Sequence, residues 1–201
     1  MKAPNPSNVA SLKDRRTLWK MHHAQADFVA VKKACHYLVT ANISEDAVYY
    51  ASVIGVYTMY GRPFTESRGA GKLEESTVPR EHLGLHEQLM EHRHKVYAHS
   101  DATGAPAHFG NINQVRFYNN REEILPGIIR WRAETGKLKE MILLCEALQK
   151  KTKYWINKIQ SKYFPHLALP LGQYLINLDP NLNDFLIPAP GDVAPTTPNG
   201  V

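Results

Sequence analysis

The chain has 201 residues, 43% of them hydrophobic, with a formal net charge of +5 and a pI near 9.1. That length suits one domain with an appendage and buries about two-thirds of the chain surface without a disulfide or metal staple. The basic balance permits nucleic-acid partners without requiring them. The N-terminus lacks the apolar core of a signal peptide and the most apolar run, residues 47–60, is too short to cross a bilayer, so a soluble, cytoplasmic protein is expected.

Residues 1–13 read as a flexible arm. The first long helix is expected from about Asp14 to Ala41, where Met21, Phe28 and Cys35 recur at seven residues, as do Ala24, Val31 and Leu38. Ser44 followed by Glu45 and Asp46 reads as the cap of a second helix through Tyr49, Tyr50, Val53, Ile54 and Tyr57, ending near Gly61-Arg62-Pro63. Residues 62–79 form a loop. Its Gly71-Lys72 pair is not a phosphate loop, which would need Gly at Glu66 and Ser or Thr at Leu73. Cys35 and Cys145 lie in apolar helical patterns without metal-type spacing and are expected as buried, reduced thiols.

Thr77 and Pro79 open a third helix running to His99. At about 100° per residue, Leu83, Leu85, Leu89, Met90, Val96 and Tyr97 fall on one arc. Arg93 sits in the middle of it, flanked by His82 and His86, with Glu87, Gln88, Glu91 and Lys95 opposite. A guanidinium cannot shed its charge, and an unpaired one in a core costs about 3–5 kcal/mol. Arg93 must meet an anion, a polar cleft or a subunit interface, and the structural alternative is an ion pair with Asp27, Glu45 or Asp46.

Ala102-Thr103-Gly104-Ala105-Pro106 stops the helix. Weak alternation around Asn119-Asn120 admits a short β-hairpin. A last helix, about Ala133 to Tyr163, carries the stripe Leu138, Met141, Ile142, Cys145, Leu148, Trp155 and Ile159, with its lysines read as a solvated face. Seven of the 13 prolines fall at Pro165 or later, so 164–201 reads as a proline-rich, irregular arm.

Arg93 and His99 stand six apart, about 120° from each other on an unbroken helix. They converge either because His99 swings back at a frayed terminus or because two copies meet across a two-fold axis. Arg93-His94-Lys95-Val96-Tyr97-Ala98-His99 resembles the signature of the HEPN superfamily, an Arg and a His four to six residues apart with a polar residue after the Arg. The surroundings look most like the abortive-infection branch of bacterial HEPN-like proteins. The resemblance spans residues 14–163 and implies an all-α bundle of four to five helices that dimerises through the motif helices. It also implies a metal-independent endoribonuclease, a toxin or phage-defence effector held in check by an inhibitory partner protein, with RNA as substrate. Arg93 and His99 match the catalytic pair and His94 the polar residue. Tyr97, Asp101 and His86 are candidate supporting residues. Other members keep the fold without activity and bind RNA, nucleotide or a protein partner.

No cofactor and no metal are expected, because His82 and His86 lack the Glu between them that zincin spacing requires. His99 alone would be an ordinary cation at a helix C-terminus. The tyrosines of the second helix read as core rather than as a base-stacking platform.

Overall fold

The computed structural model describes residues 10–40, 47–97, 116–119, 124–127, 135–163, 174–178 and 186–188. They form an all-α bundle of four helices: α1 (Leu12–Thr40), α2 (Ala47–Gly61), α3 (Leu83–His92) and α4 (Thr135–Tyr163). Two small antiparallel hairpins join it, β1 (Arg116–Asn119) with β2 (Ile124–Gly127) and β3 (Tyr174–Ile176) with β4 (Leu186–Pro188). Among the described residues no helix is long and apolar enough to cross a membrane.

Both seven-residue ladders expected on α1 are buried. The helix begins at Leu12 because Ser11 Oγ accepts the Asp14 N–H at 3.1 Å, so helix and core reach into the stretch read as an arm. Ala10, 1% exposed, belongs to the core, and its carbonyl accepts a bond from Arg15 Nε at 2.9 Å.

α1 is the hub, packing along α4 and against α2. Its seam with α4 is antiparallel, since partners advance along α1 as they retreat along α4. Asp14 meets Lys162 and Tyr163, Gln25 meets Thr152, the Phe28 carbonyl accepts from Gln149 at 3.1 Å, and Lys32 reaches Glu146 at 3.5 Å. Along this seam and just beyond its last rung, Phe28, Val31, Cys35, Met141, Leu144, Cys145 and Leu148 are fully buried. Each large apolar side chain among them contributes about 1.5–3 kcal/mol by leaving water. Burial also pushes the Cys35 thiol up to about 12 and raises that of Cys145.

The buried stripe of α4 departs from expectation in its second half. After Leu148 it continues through Thr152, Ile156, Ile159 and Tyr163, the spacing a 3.6-residue repeat demands. Trp155 falls one position off that line and is 40% exposed.

The 62–79 stretch is pinned rather than loose. Phe64, Leu73 and Val78 drop into the core, the Leu73 N–H donates to Pro63 O at 2.7 Å, and Lys20 Nζ donates to Lys72 O at 2.9 Å. Gly71 turns the chain at φ 72°, where a side chain is strained. The hairpin expected near Asn119 forms, with Asn119 opposite Ile124. Within the proline-rich arm of 164–201, whose apolar Leu175, Ile176, Leu178, Phe185, Leu186 and Ile187 suit packing back onto the body or a partner, the β3–β4 pair forms, Ile176 packs on the core, and Asn177 is buried. Proline content hid these strands: Pro188 pairs with Tyr174 at the end of a two-stranded ribbon, an edge where a missing N–H is tolerated.

Candidate functional site

α2 ends at Gly61 because Pro63 tightens the next residues, Arg62–Phe64, into a 3-10 turn. α3 packs against the end of α2, and its buried face is made by His86, Leu89 and His92. Tyr60, Phe64 and His86 cluster with centroids 4.5–5.8 Å apart. Tyr60 Oη and His86 Nδ1 share a hydrogen bond of 2.7 Å. Burial lowers the His86 pKa against the pull of Glu75 and Glu87 and raises that of Tyr60, so the pair is neutral.

At Arg93 the hydrogen-bond ladder changes register. Its N–H is shared between Leu89 O and Met90 O, and Arg93–Tyr97 form a π turn. Such wide turns concentrate at functional positions in helices. The expected third helix thus exists in three pieces: a 3-10 turn at Arg80–His82, α3, and the π turn.

The aliphatic stem of Arg93 lies directly on Gly61. A Cβ added there would overlap Arg93 Cδ and stand 2.9 Å from Nε, so glycine at 61 is what admits the arginine. Arg93 Nε is buried and has no hydrogen-bond partner among the described residues. Nη1 lies 3.4 and 3.5 Å from the ring nitrogens of the exposed His94, at the outer limit of a hydrogen bond.

The structural alternative was a carboxylate. Asp27, 2% exposed, is instead held by Arg62, whose Nε donates to Oδ2 at 2.9 Å and whose Nη2 donates to Oδ1. That bond keeps Arg62 protonated beyond its ordinary range. Glu45 and Asp46 lie outside the described residues. Among the described residues no ion pair includes Arg93.

Of the residues singled out in the sequence, Arg93 and His94 come together, and His86 stands in the core two turns before Arg93. Tyr97 closes the π turn; its side chain, and the whole of His99 and Asp101, lie outside the described residues. Two contributors were missed. Gly61 looked like a helix stop, and only its place in an apolar run directly before Arg-Pro hinted at a close approach. His92, 0% exposed with its ring 5.7 Å from that of Tyr57, carries the buried face onward where Arg93 was expected at the centre of the arc. Among the described residues no group of three or more His, Cys, Asp or Glu side chains is placed to hold a metal ion.

The arrangement offers an anion a held cation. Leaving a buried donor unmet costs about 1–3 kcal/mol, which an arriving phosphate oxygen would recover. No family model matches the chain, and neither does any curated protein or solved structure.

Proposed function

We propose that this chain is a metal-independent endoribonuclease of the HEPN type, a dimer whose motif helices bring Arg93 and His99 to the scissile phosphate of RNA. The observation that carries the reading is the state of Arg93: its stem fixed on Gly61, its Nε without an acceptor among the described residues, and one of its three candidate carboxylates, Asp27, already taken by Arg62. A cation held this way is suited to a ligand oxygen.

RNA supplies its own nucleophile, so the protein needs only to move protons and stabilise charge. In this reading His99 accepts the 2′-hydroxyl proton as that oxygen attacks phosphorus. The bond to the 5′-oxygen breaks, and the leaving oxygen takes up a proton. The products are a 2′,3′-cyclic phosphate and a 5′-hydroxyl. Arg93 grips the phosphoryl oxygens bidentately as their charge grows. Asp101 orients His99, and Tyr97 and His94 bracket the guanidinium. His86, buried on Tyr60, braces the helix and does not touch RNA. A growth-arresting or phage-defence role, restrained by an inhibitory partner protein, follows from the same resemblance.

The test is incubation of the purified protein with total RNA in chelator, followed by mapping of the new ends. Cyclic phosphate ends should appear, and Arg93→Ala and His99→Ala should each lower cleavage at least about 100-fold. Full activity in both variants would remove the mechanism, and loss of activity in EDTA would transfer it to a metal. RNA retained without cyclic ends would identify a binding module on the same scaffold.

A further inference from the structure

α4 changes character in its second half. From Ala147 to Tyr163 it carries five lysines and no carboxylate. One stripe of this segment is buried against α1, while Lys150 with Tyr154 and Lys151 with Trp155, each four residues apart, form neighbouring outward rows. Tyr154 is 61% and Trp155 40% exposed, and their rings meet at 5.8 Å and 75°. Lys158 Nζ stands 4.7 Å from the Trp155 centroid.

These rows wall a hollow of about 600 Å³ closed on its other sides by Lys20 of α1 and the turn at Glu74–Thr77. A second hollow of about 260 Å³ shares Lys20 and contains the Arg62–Asp27 ion pair and a second aromatic pair, Trp19 and His23, with ring centroids 4.0 Å apart. Two ring platforms therefore flank one lysine, with three lysines set against one carboxylate, Glu74, in the larger hollow.

We propose that the two hollows form one groove that binds single-stranded RNA, bases on the Tyr154–Trp155 and Trp19–His23 platforms and phosphates at Lys20, Lys150 and Lys151. Exposed ring faces select unstacked bases, which an A-form duplex does not offer. An acidic peptide would satisfy the lysines and leave the rings bare. A mononucleotide would fill one hollow and leave the other empty. None of these residues belongs to the Arg93 site, so the groove stands whether or not that site cleaves.

The test is fluorescence anisotropy of a labelled 12-nucleotide oligouridylate with the full chain in EDTA. Three phosphate contacts predict a slope of log affinity against log salt of about −2. Trp155→Ala and Tyr154→Ala should each weaken binding about tenfold, Trp155→Phe should bind near-natively because it keeps a ring face, and Lys151→Ala should make the salt slope shallower. Lys33→Ala, at an exposed lysine of α1 that lines neither hollow, should leave affinity unchanged. The proposal is overturned by duplex RNA binding as tightly as single strand, by polyglutamate out-competing the oligonucleotide, or by Trp155→Ala binding natively.

Discussion

Gly61→Ala tests the geometry of Arg93 without touching Arg93 itself. The new methyl would occupy the space of Arg93 Cδ, 2.9 Å from Nε, and the obstruction is mid-chain, so the whole arginine side chain must move. Alanine at a helical position gains about 0.5–1 kcal/mol over glycine, while expelling a packed side chain costs about 1–3 kcal/mol. The balance is a loss of up to about 2.5 kcal/mol, or a Tm lower by at most about 10 °C for a chain of this size. In an Arg93→Ala background the obstruction is gone, and Gly61→Ala should become stabilising by about 0.5–1 kcal/mol. Urea titration of the four proteins should therefore yield a coupling of about 1–3 kcal/mol. Cleavage should fall further than stability, about 100-fold, because a guanidinium displaced by about 1 Å no longer meets the transition state. Two results would refute the reasoning: additivity within about 0.5 kcal/mol, or native cleavage by Gly61→Ala.

The Tyr60–His86 pair predicts a pH dependence. Burial holds the His86 pKa below the ordinary histidine value of 6.5, so the unfolded chain binds the proton first as pH falls. Stability is thus complete above about pH 6.5 and declines below it, and His86→Gln should flatten that decline; equal slopes in Tm between pH 7 and 5 would exclude His86 as a cause. Tyr60→Phe removes the 2.7 Å bond inside the core and should cost about 1–2 kcal/mol by chemical denaturation. Arg62→Ala strands the buried Asp27 carboxylate and should cost about 2–3 kcal/mol, more than Asp27→Asn, whose partner is largely in water already; the reverse order would mean the pair contributes through the arginine. Cys35 and Cys145, buried with raised pKa values, should resist alkylation at pH 8 until denaturant is added, and rapid labelling of the folded protein would show that the α1–α4 seam opens.

The helices were legible because their signals repeat. The ladders of α1 needed only a count of seven, and the first half of α4 followed the same logic. Trp155 was misplaced because large apolar side chains weigh heavily in a periodic reading, whereas the true stripe passes through the small, polar Thr152, which hydrogen-bonds Gln25 and its own helix. The lysines around it, read as a solvated face, gained significance only once two exposed rings stood among them. Arg93 announced itself by chemical type, but its seat did not. A π turn and an approach to Gly61 are events between segments about thirty residues apart, and local pattern carries no record of them. The strands beyond Pro165 were obscured for a similar reason, since a ribbon only three residues long has no periodicity to display.

The arrangement of α1 bears on how the protein is made. Its apolar ladder is covered chiefly by α4, through rungs whose partners lie 114 to 149 residues further along the chain. A ribosome therefore releases the first helix long before its cover exists, and pairing across such separations is slow to form. During that interval the greasy side of α1 is open to solvent, a condition that invites chaperones or misassociation. Any fragment truncated ahead of Thr135 would stay in that vulnerable state, so synthesis of the final helix acts as the event that commits the chain to its native form.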